Sequence, residues 1–128
     1  MPEMIAEEYE KKLQCLPKQD GYPVFDIIIL GMGPDGHTCS LFPGYPELYI
    51  TTTSVTSVLD SPKPPAERIT LTLPVLNHAQ HVFFLVTGGD KAPVVQAIKE
   101  GKTQVPAARV NPEIGELVWF VDDAAMGN

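Results

Sequence analysis

Asp35 and His37 stand two residues apart in Gly31-Met32-Gly33-Pro34-Asp35-Gly36-His37-Thr38, directly after the apolar run Phe25-Asp26-Ile27-Ile28-Ile29-Leu30. A carboxylate beside an imidazole is the pairing that general-base chemistry needs. Histidine changes charge between pH 5 and 8, so it can take a proton from water while a neighbouring carboxylate orients it. Two cations further along could hold an anionic substrate: Arg68, which opens an alternating segment, and Lys91, which follows Gly88-Gly89 where a helix should start. The partial positive charge of that helix start would add to theirs in binding a phosphate dianion. Each residue also has an ordinary reading. Pro-Asp-Gly is a common turn, His37 could cap a short helix, Arg68 follows Glu67 and could form a weak surface ion pair, and Lys91 could be solvated.

The elements around these residues decide whether they can meet. Val24 to Leu30 is β-branched and aromatic with a single charge, which predicts a strand buried on both faces, as in a parallel sheet. In open α/β sheets ligands bind beyond the carboxyl ends of the strands, and that is where Asp35 and His37 fall. Gly31, Gly33 and Gly36 also spell G-x-G-x-x-G, the dinucleotide fingerprint. That reading fails, because it requires a long helix next and Pro43-Gly44 stops any helix within about two turns. The glycines instead let the backbone take positive φ and approach a ligand at Gly33 and Gly36, with the amides of residues 36 to 39 facing an anion.

At 128 residues the chain reads as one domain, or part of one, over 1–128. Sixteen acidic against nine basic residues leave a net charge of −7, which argues against nucleic acid and anionic membrane surfaces as partners. Cys15 and Cys39 form no C-x-x-C pair, so a reduced cytoplasmic protein without a metal site is the simplest expectation. No apolar stretch approaches transmembrane length and no signal-peptide pattern opens the sequence. The thirteen prolines fall mostly between periodic segments and punctuate loops.

Taken in order, Met4, Ile5, Tyr9, Leu13 and Leu16 predict an amphipathic helix after Pro2, followed by a linker over Pro17 to Pro23. His37 to Phe42 predicts a short helix closed by Pro43-Gly44-Tyr45-Pro46. Tyr49 to Leu59 suits a strand or extended loop, and Ser61-Pro62-Lys63-Pro64-Pro65 must be irregular. Arg68 to Leu73 alternates as a half-buried strand, with a helical turn after Pro74. Val82 to Thr87 predicts a second buried strand, and Asp90 a cap for a helix over Lys91 to Lys99 that Gly101 ends. Leu117 to Val121 predicts a last strand, with Trp119 and Phe120 in the core, and Asp122 to Ala125 a helix that stops at once. His78 and His81 carry no assigned role, and Cys39 reads as a small buried residue.

Several of these stretches together resemble a known family. Phe25-Asp26 and Gly31-Met32-Gly33-Pro34-Asp35-Gly36-His37-Thr38-Cys39-Ser40-Leu41-Phe42-Pro43 closely resemble the signature of the 6-phosphogluconolactonases, in the glucosamine-6-phosphate isomerase/6-phosphogluconolactonase family. Ser61 to Pro65, Arg68 to Asn77, Thr87-Gly88 with Lys91-Ala92, and Trp119 to Asp122 also fit. The resemblance implies a Rossmann-like, doubly wound α/β fold with a mostly parallel sheet flanked by helices. It also implies a hydrolase without metal or cofactor that opens 6-phosphoglucono-δ-lactone in the oxidative pentose phosphate pathway. His37 would be the base on water, Asp35 its helper, Arg68 and Lys91 the phosphate clamp, and the lactone the small-molecule partner. The family's N-terminal phosphate loop and Asp-Glu-Arg motif have no counterpart here, so the chain resembles the C-terminal half, N-terminally truncated. A glucosamine-6-phosphate deaminase-like enzyme and a non-catalytic sugar-phosphate-binding fragment are the alternative readings; oligomeric state stays open.

Overall fold

The computed structural model describes Met1 to Asn128. In chain order its elements are α1 (Pro2–Lys12), β1 (Lys18–Gln19), β2 (Tyr22–Pro23), β3 (Ile27–Leu30), β4 (Val55–Val58), β5 (Arg68–Leu71), α2 (Leu73–Leu76), β6 (His81–Val86), α3 (Ala92–Lys99) and β7 (Glu116–Val121). Strands β3, β6 and β7 form a parallel sheet with β6 in the middle. Ile27 sits opposite His81 and His81 opposite Glu116, so the three strands start level. Their carboxyl ends therefore open on one edge, where the two glycine turns emerge. The class is the expected one: a mixed α/β fold whose parallel sheet is flanked by helices.

Alternation in β3 and β6 sends Ile28, Leu30, Val82, Phe84 and Val86 to one face, where they pack with Leu76 of α2 and Val95 of α3. Trp119 stacks on Phe84 at 4.0 Å between ring centroids, as their pairing across β6 and β7 allows. Each large side chain buried in this way is worth about 1.5–3 kcal/mol. The opposite face differs from expectation. Ile27 is 54% exposed, Ile29 63%, Leu85 53% and Phe120 52%, so β3 is buried on one face rather than two and Phe120 lies outside the core. An unbroken apolar run cannot reveal this, because it reads the same whether or not a second layer covers the far side.

Beside the sheet, β4 and β5 pair antiparallel and α1 packs against them. The Glu10 carboxylate accepts the backbone N–H groups of Ser54 at 2.9 Å and Val55 at 2.8 Å, fastening the helix to the strand. The helix begins at Pro2 as expected, but it packs through Ala6, with Leu13 of the following turn, while Met4 and Ile5 face outward. Spacing found the helix; its choice of face was made by the hairpin. Pro17 to Pro23, expected as a linker, folds into the β1–β2 hairpin. Gly101 ends α3 at φ +70°, its N–H donating to the Ile98 carbonyl and that of Lys102 to Ala97. No helix is long and apolar enough to cross a membrane.

Candidate active site

The turn after β3 is built from its own atoms. Thr38 Oγ1 donates to the Gly31 carbonyl at 2.8 Å, the Gly33 N–H to the His37 carbonyl at 3.0 Å, and the Gly36 N–H to the Gly33 carbonyl at 2.9 Å. The expected helix over His37 to Phe42 does not form. Cys39 takes a left-handed φ of 52° and Thr38 pairs with Leu41, which closes a tight turn and interrupts any helical run. The expected row of anion-facing amides is likewise shortened, because Gly36 and His37 both spend their N–H groups inside the turn.

That closure brings Asp35 and His37 together. Asp35 Oδ1 lies 2.6 Å from His37 Nδ1 and also accepts the His37 backbone N–H at 3.1 Å. With the carboxylate ionised, Nδ1 carries the proton and Nε2 keeps the basic lone pair. Side-chain exposure is 34% for Asp35 and 18% for His37. Burial pushes the Asp35 carboxyl up, yet the hydrogen bonds from His37 and the charges of His37 and Lys63 outweigh it and hold the carboxyl below its ordinary value.

Gly33 and Gly36 serve this geometry in a way the sequence reading missed. A Cβ on Gly33 would overlap the His37 ring and stand 2.9 Å from Asp35 Oδ1, so the absent side chain makes room for the imidazole. Gly36 has φ +88°, and a Cβ there would stand 2.5 Å from the Val105 Cβ. The space a Cβ would need at both glycines is filled by the chain itself.

Phe42, fully buried, places its ring 4.7 Å from the His37 ring, and the Arg68 guanidinium carbon lies 5.5 Å from the same ring. Arg68 thus reaches the His37 neighbourhood through an aromatic intermediary, and it forms no ion pair with Glu67. Its Nε donates to the Pro65 carbonyl at 3.0 Å, and Nη2 to the carbonyls of Lys63 and Pro64 at 3.1 Å each. Lys91 sits beyond the carboxyl end of β6, its Nζ donating to the Thr87 carbonyl at 2.9 Å and lying 3.7 Å from Asp90. It makes no hydrogen bond or ion pair with the Asp35–His37 turn. Asp90 does not cap α3; a 3-10 turn over Gly89–Lys91 leads into the helix, and the Gly88 N–H is taken by Asp122 at 3.2 Å. Asp122 also accepts the Ala125 N–H, so the expected last helix is a turn.

Phe42 and Lys63 were not singled out from sequence. Phe42 lies within the same run as His37 and Lys63 within the proline-rich run, but no spacing shows that the ring of the first packs on the imidazole or that the charge of the second acts on Asp35. Cys39 packs against the core, where burial raises its thiol to about 11. His78 holds the β1–β2 hairpin to α2, its ring nitrogens 2.6 Å from the Pro74 carbonyl and 3.0 Å from Asp20 Oδ2.

A parallel α/β sheet with a hydrogen-bonded His–Asp pair at its carboxyl edge places that pair where open α/β sheets bind small molecules. The chain belongs to the glucosamine-6-phosphate isomerase/6-phosphogluconolactonase family, whose model matches residues 1–119. Among curated relatives, 6-phosphogluconolactonase of Rattus norvegicus is 54% identical over 124 residues, covering 96% of this chain and 48% of the relative. That of Homo sapiens is 53% identical over 125 residues, with the same coverage. The solved structure of 6-phosphogluconolactonase from Trypanosoma brucei superposes with a TM-score of 0.86 at 33% identity, over 98% of this chain and 52% of that one. The chain spans about half the length of the curated relatives it matches.

Proposed function

We propose that this chain carries the general-base centre of a 6-phosphogluconolactone hydrolase acting in the cytoplasm in the oxidative pentose phosphate pathway. The observation that carries the reading is the 2.6 Å contact between Asp35 and His37 Nδ1, which leaves Nε2 as the base. His37 Nε2 takes a proton from water as the water oxygen attacks the lactone carbonyl carbon. The carbonyl π electrons move onto oxygen, and the tetrahedral intermediate collapses by breaking the ring C–O bond. The departing ring oxygen receives the proton from His37, giving a hydroxyl and a carboxylic acid, which releases its remaining proton to solvent and becomes the carboxylate. Asp35 keeps the imidazole in the required tautomer and supports its positive charge while it holds the proton. Arg68 retains Nη1, and Lys91 two ammonium protons, for the substrate phosphate. The relatives named above as 6-phosphogluconolactonases support this substrate.

The test is lactone loss with the purified chain, measured against spontaneous hydrolysis and against His37→Ala once circular dichroism shows both folded. Catalysis should fall by about 10²–10⁴-fold in the variant. Equal rates in the two proteins would remove His37 as the base. Ammonia release from glucosamine 6-phosphate would identify a deaminase instead, and a folded, inactive chain a binding fragment.

A further inference from the structure

Each of the three histidines has a carboxylate at one ring nitrogen. Asp35 stands 2.6 Å from His37 Nδ1, Asp20 3.0 Å from His78 Nε2 and Glu116 2.9 Å from His81 Nδ1. A carboxylate partner therefore does not by itself set His37 apart. His78 has the Pro74 carbonyl at its other nitrogen and the half-buried Tyr22 ring 5.0 Å away. His81 is 46% exposed, with the half-buried Phe83 ring 6.1 Å away. Only His37 has a fully buried ring against it, that of Phe42, at 4.7 Å between centroids and tilted by 36°.

This contact depends on how the chain turns. Residues five apart on an α-helix point about 140° apart around its axis, so the helix expected over 37–42 would have separated the two rings. The left-handed Cys39 and the pairing of Thr38 with Leu41 reverse the chain instead and bring Phe42 back onto His37. Phe42 is itself held firmly. It has no exposed surface, the Tyr45 ring lies 5.8 Å from it, and the Arg68 guanidinium carbon lies 5.5 Å from its centre. That guanidinium is tied in turn to the carbonyls of Lys63, Pro64 and Pro65.

We propose that Phe42 is a positioning residue for His37, a rigid wall that sets the plane of the imidazole and so the direction of the Nε2 lone pair. The inference rests on the general-base reading and deepens it. A histidine ring turns about its last side-chain torsion in a broad well, and a hydrogen bond at Nδ1 tolerates about 30° of misalignment. Neither restraint aims Nε2. The Gly33 backbone beside Cε1 and Nδ1, together with the Phe42 ring, bounds the imidazole on the sides that Asp35 leaves free. Proton transfer from an attacking water is sensitive to such aim, since a misplacement of about 1 Å can cost 10²-fold in rate.

The experiment compares lactone hydrolysis by Phe42→Leu and Phe84→Leu. Phe42→Leu keeps an apolar side chain but loses the flat ring, so kcat should fall roughly tenfold with KM within about twofold of wild type. Phe84→Leu removes an equally buried ring from the sheet core. It should lose comparable stability yet keep kcat within about twofold. Phe42→Met, whose flexible thioether refills the space, should show the same fall and serves if Phe42→Leu does not fold. An unchanged kcat in a folded Phe42 variant, a change confined to KM, or an equal fall in Phe84→Leu overturns the role.

A second measurement needs no turnover. Carbon-13 relaxation at histidine Cε1 should give His37 an order parameter near the rigid value of about 0.85 and His81 one below about 0.6, and Phe42→Leu should bring His37 down toward His81. Equal order in the two wild-type rings, or an unmoved His37 in the variant, overturns the proposal. The wild-type comparison requires no substitution, so it decides the matter even if neither variant at Phe42 folds. A wild-type chain that opens no lactone sinks the hydrolase reading, while the relaxation data still decide whether Phe42 holds the imidazole.

Discussion

After β3 the chain runs Gly31-Met32-Gly33-Pro34-Asp35-Gly36-His37, and after the neighbouring parallel strand β6 it runs Thr87-Gly88-Gly89-Asp90-Lys91 and enters α3. Both are glycine turns at the same edge of the sheet, and both carry a carboxylate next to a basic group. In the first, the missing Cβ of Gly33 admits the imidazole, and Asp35 reaches Nδ1 at 2.6 Å. In the second, Lys91 bends back to the Thr87 carbonyl at 2.9 Å and leaves Asp90 at 3.7 Å. One turn fixes an imidazole in a single orientation. The other sets a cation at the start of a helix, where it retains donors for an anion. The chemistry follows from which atom each carboxylate can reach, not from the glycines alone.

Changes at the two turns should therefore give different kinetic signatures. After removal of His37 itself, the largest effect is expected from Gly33→Ala, whose methyl group would displace the His37 ring. Lactone hydrolysis should fall by roughly 10²-fold while circular dichroism stays native, since the loss is one of base positioning. An activity near wild type would show that the ring has room to move. Asp35→Asn should cost roughly tenfold or more in kcat, because the amide can turn its NH₂ toward Nδ1 and favour the wrong tautomer. At the second turn, Lys91→Ala should raise KM several-fold and leave kcat within about twofold, as expected for binding shared by ground and transition states. A fall in kcat with KM unchanged would erase the contrast between the turns.

The smallest effect concerns stability. Folding holds the Asp35 carboxyl below its ordinary 3.8, so as pH falls the unfolded chain takes up this proton first. The ionised carboxylate's contribution is thus complete above about 3.8 and fades as pH drops through the lower folded value. Urea midpoints of wild type and Asp35→Asn should differ at pH 6 and converge in acid, and a gap that widens toward acid would contradict the direction of the shift.

Some elements were legible because their cause is local. Alternation in Arg68 to Leu73 and the apolar run of Val82 to Thr87 marked β5 and β6, each running past the observed end of its strand, and Pro2 marked the start of α1. Others were misread because the deciding partner is distant. The spacing of Met4, Ile5 and Tyr9 indicated a helix face, yet the hairpin accepts Ala6 and holds Glu10 instead. Asp90 had the right position to cap a helix, but Asp122 reached the Gly88 N–H. Ile27 and Ile29 are as apolar as Ile28 and Leu30, and only the placement of α2 and α3 separates the buried pair from the exposed one.

The same division holds at the site. The sequence by itself determined the pairing of Asp35 with His37, because a rigid proline before the carboxylate and a single glycine between the two residues leave the carboxylate few places to go but back onto the following turn. Tertiary structure alone decided that Phe42 would lie between His37 and Arg68, and that one sheet face would be covered and the other left open. Those are contacts between segments dozens of residues apart, or choices between equally apolar faces, and they exist only once the chain has closed its long loops against the entropy that opposes closure.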